Sequence, residues 1–147
     1  MADSIHEEIL DAYETTIRAL NLDGTQQHVY RRMALSETWT LNIVKPCVVI
    51  MPAGIESIIG GTTQQDDLWY PVTVLVVDNE STAEPIGKYL KWRKLIRKAF
   101  HEKRLSGVTE VMTSLLQPSP SIEPELLKWQ VLGMPLAFQV QAEEIRT

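Results

Sequence analysis

Residues 69–77 read Trp-Tyr-Pro-Val-Thr-Val-Leu-Val-Val, and this stretch decides the fold because it is the strongest strand signal in the chain. It is almost continuously apolar and rich in β-branched residues, a composition typical of a strand that is covered on both faces. Pro71 has no amide hydrogen to donate, so we expect it near the start of the strand or at a bulge. The stretch therefore predicts the central strand of a sheet.

The segments that precede this strand predict one helix and several strands. Ser4 followed by Glu7 forms a capping box, and apolar residues then recur at helical spacing as far as Leu20. We therefore expect a helix from about Ser4 to Leu20. Strands are predicted over three ranges: 28–35, 38–44 (the weaker candidate) and 47–51.

Residues 53–68 differ in composition from the segments around them. They contain three glycines, two threonines, two glutamines and the adjacent pair Asp66-Asp67. A polar segment of this length within a domain is usually functional or disordered. We predict a long protruding loop or an extended hairpin arm, with Gly60 and Gly61 in a flexible tip and the two aspartates as solvated loop residues.

A basic helix is predicted after the central strand. Ser81 with Glu84 offers a second capping box and Pro85 suits a first helical turn, so the helix should extend to about Lys103. At 100° per residue one side is an apolar stripe, formed by Ile86, Tyr89, Trp92, Ile96, Ala99 and Phe100. The basic residues lie on or beside the opposite side: Lys88, Lys91, Lys94, Arg97 and Lys98.

The remainder of the chain predicts closing strands. A strand is expected over 108–116, a proline-rich turn over 117–124, and an alternating, half-exposed last strand over 134–142, while 126–132 is ambiguous. With 147 residues and no second composition regime, the chain is expected to form a single domain over 1–147. The predicted fold class is α/β of the α+β type: a mixed, mainly antiparallel sheet, two helices packed on it, and the arm 53–68.

Charge is unevenly distributed along the chain. The net charge is −5, yet residues 88–104 hold eight basic residues and one acid, so the rest of the chain carries −12. An acidic body with one basic helix can meet a copy of itself head to tail. The same helix could instead contact nucleic acid, although a recognition helix normally also presents Asn, Gln or Arg to the bases and the outward side here is almost all lysine. A merely solvated charged side is the third alternative.

Recognisable catalytic or metal-binding motifs are scarce in the sequence. The three histidines lie far apart and lack partners at metal-ligand spacing, so we expect no metal and three solvated surface side chains. Cys47, the single cysteine, lies in an apolar run and is expected to be buried. We also expect no cofactor, no enzymatic activity, no signal peptide and no membrane partner. A small enzyme whose polar groups converge in the fold stays an alternative.

The order of these elements resembles that of tail terminator (tail completion) and neck proteins of tailed phages. The matching stretches are 17–20 before the Asp23-Gly24 turn, 48–52 (Val-Val-Ile-Met-Pro), 70–74 (Tyr-Pro-Val-Thr-Val), the helix 92–100, and the ending with Pro118, Pro120, Trp129 and Phe138. The resemblance covers most of the chain and rests on pattern rather than on a diagnostic motif.

This resemblance implies a structural virion protein, made in the host cytoplasm, that forms a hexameric ring. Such a ring would cap the tail tube, join it to neck or connector proteins, and contact DNA passing through it without sequence preference. We expect subunit or partner contacts at the basic helix and at the arm, namely at Lys88, Lys91, Lys94, Arg97, Lys98, Gly60, Gly61, Asp66 and Asp67. Another neck or minor tail component, or a nucleic-acid-binding accessory protein using helix 88–104, are the alternative functions.

Overall fold

The computed structural model describes residues 4–22, 28–54, 56–61, 65–79, 86–105, 108, 111–119 and 122–145. In chain order the elements are α1 (Ile5–Leu20), β1 (Val29–Arg31), α2 (Glu37–Asn42), β2 (Cys47–Met51), β3 (Ser57–Gly61), β4 (Gln65–Asn79), α3 (Ile86–Phe100), β5 (Val111–Leu116), α4 (Pro124–Leu127) and β6 (Val131–Ile145). The α+β class is as predicted, and α2 and α4 are two short helices beyond the two that were predicted.

The six strands form one sheet with the order β1-β2-β4-β6-β5, and β3 pairs with the start of β4. β1 and β2 are parallel, whereas the other pairs are antiparallel. β4 and β6 pair in register over fifteen residues, from Gln65 opposite Ile145 to Asn79 opposite Val131. The predicted central position of residues 69–77 is confirmed, and the strand is longer than predicted.

Both faces of the central strands are covered, as the apolar run predicted. On the first face, Val72, Val74 and Val76 pack with residues of α1 and α3 in the larger core cluster. On the second face, Leu75 and Val77 pack in a smaller cluster that includes Leu126 of α4 and Trp39 of α2. Alternate side chains of a strand point to opposite faces, so one continuous apolar sequence serves two cores.

The larger core is centred on three aromatic rings from three elements. Tyr13 of α1 stacks on Phe100 of α3 with ring centroids 3.9 Å apart. Phe138 of β6 meets both rings edge-on, at 5.6 and 5.7 Å. These contacts fix α1 and α3 on the sheet, and through α3 they fix the basic residues on its outer side.

The amino-terminal capping box is present as predicted. Ser4 is the N-cap of α1, and its hydroxyl oxygen accepts a hydrogen bond from the Glu7 amide at 3.1 Å. Asn21 ends the helix in the left-handed conformation (φ 47°), where its amide donates to the Arg18 carbonyl. Asparagine tolerates this conformation better than most residues, and it turns the chain directly beside α3.

The strand predicted over 38–44 is wrong, because residues 37–42 form α2. Trp39 and Ile43 both pack against the core of the second face, and a helix brings residues four apart to the same side. The Trp39 indole nitrogen also donates to the Ala34 carbonyl at 2.9 Å. Tertiary packing therefore overrides the β-propensity of this segment. The neighbouring strand, predicted over 28–35, is shortened to β1.

The arm predicted over 53–68 is a hairpin and not a loop. β3 pairs with the first part of β4, from Ser57 opposite Trp69 to Gly61 opposite Asp66, with an irregularity between Ile58 and Gly60. Residues 62–64, which include part of the predicted tip, lie outside the described residues. β4 thus contributes its distal end to the arm and its proximal part to the core.

The helix predicted over 81–103 corresponds to α3, which ends at Phe100. Its predicted capping residues at 81–85 lie outside the described residues. After the helix, Glu102 adopts φ 58° and the Lys103 amide donates to the Phe100 carbonyl at 3.1 Å. Lys103 then pairs with Ser114 of β5, so the turn after α3 covers part of the edge strand.

The closing strands follow the prediction with adjusted ends. β5 covers the second half of the predicted 108–116, and the ambiguous segment 126–132 divides between α4 and the start of β6. In β6, Leu136, Phe138, Val140 and Ala142 are buried, whereas Gln139 and Gln141 are partly exposed. The alternation that predicted a half-exposed last strand is confirmed.

Candidate functional site

The outer side of α3 carries an exposed basic surface. Lys91, Lys94, Arg97 and Lys98 are all exposed, and we call these four residues the lysine ridge. Among the described residues, none of their side chains has a hydrogen-bonding or ion-pair partner. The helical spacing predicted this surface, and the structure brings the four residues together on one helix.

Lys88 and Arg93 differ from the lysine ridge because both side chains are partly buried and contact other residues. Lys88 is partly buried, and its Nζ lies 5.3 Å from the ring centroid of Trp92, within cation–π range. Arg93 donates from Nη2 to the Pro135 carbonyl at 3.2 Å. Burial, together with the positive charge of Arg97, lowers the pKa of the Arg93 guanidinium.

The inner side of α3 belongs to the core. Tyr89, Trp92, Ile96 and Phe100 are all buried. The Tyr89 hydroxyl donates to the buried carboxylate of Asp78. The aromatic side chains of this helix are therefore core residues and are not presented as stacking platforms for bases, as the apolar stripe predicted.

A groove of about 400 Å³ lies where the end of α1 meets α3, and we call it the α3 groove. Its lining combines four apolar side chains with two lysines and one asparagine: Leu20, Leu22, Trp92, Leu95, Lys88, Lys91 and Asn21. Leu95 is 38% exposed although it is apolar. The sequence did not predict the groove, because no local signal places the end of α1 beside α3.

The distal end of the sheet is acidic. In the β4–β6 pairing, Asp66 lies opposite Glu144 and Asp67 lies opposite Glu143. We call these four residues the acidic end. Across the other edge of β4, Gly60 pairs with Asp67, so glycines flank the aspartates where the sequence predicted a flexible tip.

Asp66 and Asp67 are residues of strand β4 and not of a loop, which corrects the sequence-based prediction. Asp67 is partly buried, and its Oδ1 atom is buried without a hydrogen-bond donor among the described residues. Carboxylates placed directly opposite one another across strands repel. The sequence did not identify Glu143 and Glu144 as site residues, because the pairing that places them there joins distant parts of the chain.

The cysteine and two of the histidines, which lie outside these surfaces, are buried or bonded to the backbone. The Cys47 thiol is fully buried as predicted, and this burial raises its pKa to about 12. His6, His28 and His101 are all only partly exposed, contrary to the prediction of three solvated side chains. The His6 Nε2 lies 2.9 Å from the Pro71 carbonyl, and the His101 Nδ1 accepts from the Leu116 amide at 3.0 Å.

Two further cavities lie on the second face of the sheet. One of about 320 Å³ is lined by Ser57, Trp69, Leu115, Gln117 and Gln139, and one of about 340 Å³ includes Leu35, Met51, Leu75, Glu123 and Pro135 in its lining. Among the described residues, the first of these linings contains no titratable side chain, and the second contains only Glu123. Across the described part of the chain, no cluster of His, Cys, Asp or Glu has the composition of a metal site.

The described helices also include none with the length and apolar character needed to cross a membrane.

Comparison with known proteins gives a likeness of fold. No family model and no curated protein matches the sequence. Among solved structures, a chain in the virion of a native gene transfer agent particle superposes with a TM-score of 0.58 at 15% sequence identity. The match covers 92% of this chain and 94% of that chain. At this identity the two chains share a fold over nearly their whole lengths.

Proposed function

We propose that this chain is a structural protein of a phage-like virion, and that it forms a ring which terminates the tail tube and joins it to the neck. The observation that carries the proposal is the near full-length likeness of fold to a chain of a gene transfer agent virion. A fold can host unrelated functions, so the surfaces of this chain must supply the rest of the argument.

The surfaces support assembly rather than catalysis. The lysine ridge has no intramolecular side-chain partner within the described residues, and at the acidic end the β4–β6 register places acidic residues opposite acidic residues. Two different, complementary patches on one chain produce head-to-tail contacts, and these close into a ring when the rotation between copies allows it. A homo-hexamer located at the tail or neck of a virion is the specific form that we propose.

Another neck component, such as a head–tail connector or stopper, is the nearest alternative. It would use the same fold and the same surfaces but contact different neighbours along the tail axis. Tail tube and neck or connector proteins are therefore the partners that we propose in either case. The end of the tail tube to which the purified chain binds distinguishes the two alternatives.

Nucleic-acid binding through helix 88–104 is the second alternative, and the exposed lysine ridge favours it. Non-specific contact with DNA passing through a ring would need the same residues. Because phosphate contacts release counterions, such binding should weaken steeply as salt increases. The rest of the chain carries a charge of −12, which opposes approach of a polyanion anywhere except at this helix.

Negative-stain electron microscopy of the purified protein at low salt tests the proposal. We expect closed rings of about six subunits, since heterologous interfaces that close produce cyclic symmetry. Open filaments or a uniform field of single subunits would contradict the proposed ring. A parallel titration with duplex DNA at low salt distinguishes the accessory-protein alternative, which requires affinity in the absence of rings.

A further inference from the structure

We propose that the acidic end of one copy docks into the α3 groove of the next copy, so that Lys91 and Lys94 of one subunit face Asp67 and Glu143 of its neighbour. This inference rests on the proposed ring and specifies which two surfaces make its subunit interface. Each subunit would then use one surface on each side.

The α3 groove has the chemistry of a docking site for a partly apolar, acidic segment. Trp92 and Leu95 give it apolar surface, while Lys91 brings an exposed ammonium group to the same groove. Lys94 lies on the next turn of the same helix and is also exposed. A fully hydrated ligand would gain little from the apolar lining, and a purely apolar ligand would leave the lysines without counter-charge.

The acidic end offers the complementary combination. Asp67 and Glu143 lie opposite each other, and among the described residues neither has an ion-pair partner. Ile58, which pairs with Leu68 next to Asp67, is 65% exposed. Cross-strand partners share a face and successive residues alternate, so Ile58 lies on the opposite face of the sheet from Asp67 and Glu143. The end of the arm therefore carries an exposed apolar side chain on one face and the two carboxylates on the other.

A second copy of this chain is the occupant that the charges favour. Both halves of the contact are present on every copy, and bringing ammonium groups to the paired carboxylates relieves their mutual repulsion. The two patches are different surfaces, so the contact is heterologous and can propagate around a ring. DNA, the competing polyanion, carries no apolar segment to cover Leu95.

A reciprocal charge reversal tests this interface. One variant carries Lys91→Glu with Lys94→Glu, and the other carries Asp67→Lys with Glu143→Lys. In sedimentation equilibrium at low salt, each variant alone should self-associate at least about tenfold more weakly, as expected when two partly exposed ion pairs become repulsive. An equimolar mixture should recover association, because the reversed ridge of one variant matches the reversed acidic end of the other.

Two single reversals of exposed residues outside both patches, Lys128→Glu and Glu37→Lys, are the controls. Both residues are exposed, and they should leave self-association within about twofold of the unmodified chain, the small effect typical of isolated surface charges. If the reversed acidic end fails to fold, Asp67→Asn with Glu143→Gln keeps the side-chain shapes and should still weaken association.

Four outcomes would overturn the inference. If rings form equally well in both reversed variants, the proposed interface is wrong, although the proposed ring still stands. Folded variants that fail to recover association when mixed would show that the two patches do not meet each other. Loss of DNA affinity without loss of self-association in the ridge variant would assign the ridge to nucleic acid. An unmodified chain that never self-associates would overturn both the interface and the ring.

Discussion

The two sides of α3 differ in what they contact, although they belong to the same fifteen residues. The inner side buries Tyr89, Trp92, Ile96 and Phe100 in the larger core. The outer side exposes the lysine ridge, whose side chains have no partner among the described residues. One side of the helix therefore contributes to stability and the other is available for assembly, so mutations should separate the two properties.

Truncating the inner side should have the largest effect. Phe100 is fully buried and stacks on Tyr13, so Phe100→Ala removes a ring from the centre of the core. We expect it to lower the free energy of unfolding by about 3–5 kcal/mol, measured by urea denaturation. Leu90→Ala on the same helix is the control, because Leu90 is 45% exposed. An equal loss of unfolding free energy in the two variants would contradict the proposed difference between the inner and outer sides of α3.

Adding a methyl group at each of two glycines compares a tightly packed position with an open one. Gly54 has φ +138°, and a Cβ there would lie 2.5 Å from the Cβ of Pro71. Gly54→Ala should therefore lower the free energy of unfolding by about 1–3 kcal/mol. Gly87 lies in α3, and a methyl group added there would meet no atom within 4 Å beyond its chain neighbours and the adjacent helix backbone, so Gly87→Ala should raise stability by about 0.5–1 kcal/mol. Thermal denaturation of both variants measures these two opposite changes in stability.

The buried thiol predicts a pH effect on the second face of the sheet. The pKa of Cys47 is about 12 in the folded chain against 9.0 for an ordinary thiol. Below that lower value both states keep the proton, and above it the unfolded chain releases its proton first. Stability should therefore fall as pH rises from 9.0 towards about 12, by up to about 1.4 kcal/mol per pH unit from this group.

Cys47→Ala is the comparison for this pH effect. Denaturant unfolding of both chains between about pH 8 and pH 10.5 should show that the free energy of unfolding falls more steeply with pH in the unmodified chain than in the variant. Parallel curves for the two proteins would contradict the assigned burial of the thiol.

Neutralising the outer side should have the smallest effect on stability. Lys91→Ala, Lys94→Ala and Lys98→Ala each remove an exposed charge, and each should change the free energy of unfolding by no more than about 0.5 kcal/mol. The triple variant should nevertheless assemble more weakly, and the difference from the unmodified chain should shrink as salt increases. A large loss of stability in the triple variant would mean that the ridge contributes to the fold.

Local signals predicted the elements that bury a periodic apolar face. Capping at Ser4 and helical spacing predicted α1, the continuous apolar run predicted β4, and alternation predicted β6. The helix α2 was missed because its β-branched and aromatic residues favour strands locally, and the packing that reverses this preference involves distant residues of the second face.

The candidate surfaces were predictable to different degrees. The lysine ridge follows from spacing within one helix, so the sequence predicted the exposure of its four residues, whereas Lys88 of the same predicted set is partly buried. The acidic end depends on the register between β4 and β6, which pairs Asp67 with Glu143. The α3 groove depends on where α1 ends against α3. Neither long-range relation leaves a local signal, so Glu143 and Leu95 were found only in the folded chain.

The mass of the purified protein in solution, measured by light scattering at low and at high salt, is the direct test of the proposed ring. A ring of head-to-tail contacts predicts a mass of about six chains at low salt, and a shift towards smaller species as salt screens the contact between ridge and acidic end. A mass of one chain at every salt concentration would contradict it.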